Sequence, residues 1–103
     1  MEYRVEITDV ALAEVEDAYL WIIEQVSAES AEKWIDGLTE AIESLNKSPS
    51  RCSFAPENEV FPEEIRQLLY GKGRGTYRII FTVSEPIVRI LHVRHALRQS
   101  LEP

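Results

Sequence analysis

The spacing of apolar residues changes along the chain from two, to three or four, and back to two, and each change marks an element. Tyr3-Arg4-Val5-Glu6-Ile7 alternates apolar and charged side chains, the pattern of a half-buried strand. Thr8 or Asp9 then offers a short polar oxygen to the free amides of a helix start. Leu12, Val15, Tyr19, Ile22 and Val26 follow at spacings of three and four, with Glu14, Glu16, Asp17 and Glu24 between them. This predicts an amphipathic helix of about four to five turns. Ser27 to Ser30 interrupts the stripe and can cap a second helix, whose apolar positions are Ala31, Trp34, Ile35, Leu38, Ala41, Ile42 and Leu45. So short a connection makes the two helices an antiparallel hairpin, and both stripes need a common sheet to cover them.

From Ser48 to Glu64 the periodicity lapses, and Pro49, Pro56 and Pro62 punctuate an irregular surface connection. A connection of that length is either functional or a solvated crossover back to the sheet. Three strand patterns follow. Ile65 to Tyr70 is short and apolar-rich; Thr76 to Val83 and Ile87 to His95 are rich in β-branched and aromatic residues. Gly71-Lys72-Gly73-Arg74-Gly75 and Ser84-Glu85-Pro86 form the turns between them. The order β-α-α-β-β-β predicts an α+β fold, a small antiparallel-dominated sheet with an α-helical hairpin packed on one face. Residues 1–103 make one domain, without internal repeats.

Strand alternation assigns the faces of the sheet. Tyr77, Ile79, Phe81 and Val83 share the face expected under the helices, which leaves Arg78, Ile80 and Thr82 on the uncovered side. A cation in mid-strand there needs water, a ligand anion or a carboxylate, the last most simply from the acidic first half of the chain. The last strand is undecided by parity, because Val88, Ile90, His92 and Arg94 on one side and Ile87, Arg89, Leu91, Val93 and His95 on the other both contain apolar residues. With His92 and Arg94 beside Arg78, that face would suit a peptide partner with acidic flanks. His92 and His95 point to opposite faces, so no metal site is expected.

Charge sharpens the picture. Residues 1–64 hold 16 acidic and 4 basic side chains, whereas residues 65–103 hold 7 basic and 2 acidic ones, for a formal net charge of −7 overall. The total argues against indiscriminate nucleic-acid or membrane binding, and the asymmetry points to a polyanion or acidic partner at the C-terminal half. Cys52 is the sole cysteine, so no intrachain disulfide is possible. No apolar run is long enough for a membrane span, and the charged N-terminal stretch is unlike a signal peptide, so a cytoplasmic location is expected. The glycine-rich turn lacks the lysine-hydroxyl ending of a phosphate loop, and no cofactor is expected.

Tyr77-Arg78-Ile79-Ile80-Phe81, followed by Val88 to Arg98, resembles the C-terminal half of the RelE/ParE toxin superfamily of bacterial type II toxin–antitoxin systems. The likeness extends back through Ile65 to Gly71, through Arg51-Cys52 and Ala55-Pro56-Glu57, and to the acidic hairpin ending in Ser44 to Pro49. It implies a growth-inhibiting toxin that cleaves mRNA on the ribosome without metal and is silenced by a co-encoded antitoxin. In that reading Arg78 contacts the reacting phosphate, and Arg66, Arg94, His95 and Arg98 supply the remaining catalytic groups, with His92 less suited. The alternatives are a ParE-like inhibitor that binds DNA gyrase without catalysis, or a member that only binds its antitoxin. The strand before the glycine turn reads Arg66-Gln67 where RelE-like relatives keep paired lysines, and no Tyr or His follows Arg98.

Overall fold

A computed structural model describes residues 2–97. It contains β1 (Arg4–Ile7), α1 (Asp9–Gln25), α2 (Ala28–Glu43), β2 (Arg66–Tyr70), β3 (Tyr77–Ser84) and β4 (Ile87–His95). The sheet order is β1-β4-β3-β2, with β1 parallel to β4 and the other pairs antiparallel. The expected α+β order and the helical hairpin on a mostly antiparallel sheet are what the chain forms.

Both helix starts are capped as their sequences predict. Thr8 Oγ1 accepts from the Ala11 amide and donates to the Ile90 carbonyl at 2.8 Å, so one hydroxyl starts α1 and ties it to β4. Ser27 Oγ accepts from the Ser30 amide at 3.0 Å to start α2. The buried stripe of α1 differs from the expected one: Ala11, Val15, Ala18 and Ile22 face the core, whereas Leu12 and Val26 are exposed. Two alanines on the contact face let α1 lie close to its neighbours, and this turns the bulkier Leu12 to the rim. Leu38 is the fully buried centre of α2, and α2 ends at Glu43 in a 3₁₀ turn, Ser44–Asn46, that buries Leu45.

Under the helices, Tyr77, Ile79 and Phe81 of β3 meet Val88, Ile90 and Val93 of β4. The last strand obeys neither simple parity. Phe81 pairs with Ile90 while Ile80 pairs with His92, so Leu91 is an extra residue, a β-bulge. The bulge lets Val88 and Ile90 before it, and Val93 after it, face the same core. Leu91 packs instead on the other face, with Ala55, Ile65, Phe61 and Ile80.

That other face is covered. The segment between Pro49 and Glu64 folds over it through 3₁₀ turns at Pro49–Arg51 and Pro56–Val60. Its anchors are the Ala55 amide on the Ile65 carbonyl at 2.9 Å, the Gln67 amide on the Ser53 carbonyl at 3.1 Å, and Thr82 Oγ1 donating to the Glu64 carbonyl at 3.0 Å. Residues 77–82 are consequently buried on both sides. The expectation of an uncovered sheet face is therefore corrected. The connection is a second, thin layer rather than a solvated crossover, because Ile65 and Ile80 would otherwise stand in water.

Candidate functional site

β3 and β4 place Arg78 and Arg94 as direct cross-strand partners, two like-charged residues opposite each other in the sheet. Like charges so placed repel unless each has its own anion. Two carboxylates from the first half of the chain supply them. Glu57, carried over the sheet on the Pro56–Val60 turn, takes both ends of the Arg78 fork, with Oε2 at 3.0 Å from Nη1 and Oε1 at 2.5 Å from Nη2. Arg78 Nε donates to Gln67 Oε1 at 2.9 Å. Arg78 is 9% exposed and Glu57 6%. Nε, Nη1 and Nη2 thus each donate to a protein acceptor, in a side chain only 11% exposed.

Glu14 of α1 serves Arg94. Its Oε2 accepts from Arg94 Nε at 2.9 Å, and its Oε1 lies 3.1 Å from both His92 Nδ1 and the Val93 amide. β4 outruns β1 beyond Ile90, so the Val93 amide has no strand beside it, and the Glu14 carboxylate stands in for one.

The remaining expected site residues are dispersed. Arg66 lies toward the opposite end of the sheet, paired with Phe81; its Nη1 donates to the Cys52 carbonyl at 2.5 Å, and its guanidinium sits 4.3 Å over the Phe54 ring. It fastens the covering segment to β2. His95 lies beside Tyr77 on the helix side, ring centroids 5.1 Å apart in an edge-on arrangement, and its Nδ1 accepts from the Leu97 amide. Arg94 and His95 do line one open cleft of about 270 Å³, shared with Glu14, Asp17 and Tyr77, whereas Arg78 and Arg66 are not among its walls. Arg98 lies outside the described residues. Among the described residues, no three His, Cys, Asp or Glu side chains gather as metal ligands.

Burial pushes the Cys52 thiol above its ordinary range, and the charges of Arg51 and Arg66 only partly oppose this. The thiol is kept neutral and is no nucleophile at neutral pH.

Sequence reasoning missed Glu57 and Glu14 as the decisive counter-charges. A carboxylate from the acidic half was one of the three partners open to Arg78, but its position was not legible. The one signal for Glu57 is its place directly after Pro56, which starts a rigid turn.

The family model for the ParE toxin of the type II toxin–antitoxin system, parDE, matches residues 5–100. The chain belongs to the ParE toxin family. Among solved structures, this ParE-family chain is similar to one described as the chromosomal ParDE TA system from P. aeruginosa, with a TM-score of 0.73 and 19% identity over 91% of this chain and 96% of that one. At that identity the likeness speaks for the fold. No curated protein matches the sequence. Membership of the family sets the bulged β4 and the covering segment in a toxin scaffold. Among the described residues of this toxin, no helix is long and apolar enough to cross a membrane.

Proposed function

We propose that this ParE-family toxin inhibits growth by binding its target, DNA gyrase, rather than by cutting mRNA, and that a co-encoded antitoxin silences it. The observation that carries the reading is the closed Arg78–Glu57 fork. Metal-free cleavage of RNA needs a cation to meet the charge that develops on the phosphate, and groups that move a proton at the neighbouring oxygens. The arginine suited to the first task is buried and already neutralised. His95, suited to the second, stands on the helix side, away from Arg78. The absence of paired lysines beside Arg66 and the acidic surface of the hairpin support the same reading. A toxin that works by occupancy needs none of these groups poised for chemistry.

The test uses the purified chain in two assays run side by side, ATP-dependent supercoiling by gyrase and cleavage of mRNA on translating ribosomes. Loss of supercoiling with intact messages is expected, and the Arg94→Gln, His95→Ala double variant should inhibit gyrase as wild type does. Cleavage of messages that this double variant abolishes would overturn the proposal.

A further inference from the structure

Among the described residues of the sheet half, positive charge stands without a partner from its own chain only in the glycine-rich turn between β2 and β3. Six cations lie between residues 65 and 97. Four are engaged: Arg66 donates to the Cys52 carbonyl, Arg78 to Glu57 and Arg94 to Glu14, and Arg89 lies 3.7 Å from Glu6. The side chains of Lys72 and Arg74 are exposed and make no hydrogen bond or ion pair among the described residues. The chain has 18 carboxylates, and none of the described ones reaches either cation.

The turn is firmly built. The Gly75 amide donates to the Lys72 carbonyl at 3.0 Å, and Thr76 Oγ1 donates to the Gly73 carbonyl at 2.8 Å. Gly71 has φ +99°, and a β-carbon there would meet the Gly75 carbonyl oxygen at 2.5 Å, so this glycine lets the turn close on itself. Gly75 has no such reason to be glycine. Its φ is not in the left-handed region, and a β-carbon there would meet nothing within 4 Å. A bare main chain beside two cations admits close approach of a bulky anion. Protein partners are held by a core of apolar and aromatic contacts, and Gly-Lys-Gly-Arg-Gly offers none. Nucleic-acid backbones are met instead by lysine, arginine and main-chain amides.

The charge around the turn confines the contact to it. Burial, with the negative charges of Glu40 and Asp36 on α2, raises the hydroxyl of Tyr70, the residue before the turn. Residues 9–43 carry ten carboxylates against a single lysine, Lys33. Free DNA repels such a chain as a whole, so two cations reach phosphates only where another protein holds the duplex in place. We infer that the Gly71–Gly75 turn touches the backbone of DNA held by gyrase, with Lys72 and Arg74 each on a phosphate. The inference rests on the gyrase reading above and adds to it a direct contact with nucleic acid.

The test titrates gyrase, either free or loaded with a duplex long enough to fill it, into the full chain labelled with fluorescein at its N-terminus, and reads anisotropy. Wild type is expected to bind the loaded enzyme about tenfold more tightly than the free one. Lys72→Gln with Arg74→Gln should remove that difference and leave binding to free gyrase unchanged. The salt dependence of binding to the loaded enzyme should become shallower by about two in log–log slope, one for each phosphate. Lys72→Arg with Arg74→Lys keeps both charges and should keep the difference. Neither side chain has a partner in the chain to lose, and thermal melts check that each variant folds as wild type does. A Gln double variant that binds loaded gyrase as tightly as wild type would overturn the proposal and leave the gyrase reading standing. An equal loss on free and loaded enzyme would also overturn it, since the turn would then meet a carboxylate of the enzyme. Wild type that binds gyrase in neither form would sink the gyrase reading, and this proposal with it.

Discussion

A guanidinium and a carboxylate buried together gain little over well-packed hydrocarbon, yet either one left alone in the interior is expensive. Arg78 and Glu57 are such a pair, with side chains 11% and 5% exposed. Arg78→Met should therefore destabilise the protein by about 3–5 kcal/mol, by taking the guanidinium away from a buried carboxylate. Adding Glu57→Leu should return stability close to that of wild type, and urea unfolding of both variants checks the difference. Equal stability of Arg78→Met and wild type would show that the fork is open in solution. Cys52 allows a second residue-scale prediction. Its thiol value is raised in the fold above the ordinary value of about 8.5. The neutral thiol is thus favoured by folding, and its contribution is complete below that ordinary value and lost as pH rises through the folded one. Stability of wild type should fall above about pH 8.5 more steeply than that of Cys52→Ala, as followed by chemical denaturation at a series of pH values. At neutral pH, alkylation of Cys52 should be slow until urea is added.

At the scale of elements, close approaches are set by small residues and by side chains that replace missing strand partners. Gly37 sits within α2, where alanine would ordinarily favour the helix by about 1 kcal/mol. A β-carbon there would meet the Tyr70 hydroxyl at 2.1 Å, the same hydroxyl that donates to the Trp34 carbonyl at 2.9 Å. Gly37→Ala should therefore destabilise, against its helix propensity, and Tyr70→Phe in the same chain should recover part of the loss. Paired thermal melts measure both. Glu14 shows the complementary device. It finishes the edge of β4 where β1 stops, and it neutralises Arg94 in the same geometry. The hairpin and the succession of elements along the chain were legible from caps and apolar spacing, since those signals are local. The bulge at Leu91 was not, because both parities of Ile87 to His95 are apolar enough to be buried. Only packing against Phe81 on one side and Ile65 with Ala55 on the other chooses between them.

Over the whole molecule, charge is segregated. The hairpin holds most of the negative charge and the sheet half most of the positive. Among the described residues, Arg4–Glu6, Arg89–Glu6 and Lys33–Glu29 are exposed ion pairs and contribute little. Self-repulsion along the hairpin should then dominate the response to salt. Raising sodium chloride from about 20 to 200 mM, which shortens the screening length from about 20 Å to under 10 Å, should raise the melting temperature by a few degrees. A fall would mean that attractive surface pairs outweigh the repulsion. The acidic hairpin carries an apolar cleft, and the cationic sheet half has its central arginine closed by its own chain.

The sequence by itself determined the α+β order, the starts of the helices, the faces of β3 and the superfamily likeness. Each is carried by spacing or by short runs of adjacent residues. Tertiary structure alone decided what became of the cationic face. Whether Arg78 meets solvent, a ligand or a carboxylate depends on where a proline-punctuated connection comes to rest, and no local period encodes that. The apolar groups of Ile65, Ile80 and Leu91 draw that connection onto the sheet, and Glu57 arrives with it. Contacts between residues distant in the sequence, fixed by burial of hydrocarbon, therefore settled which arginines are structural.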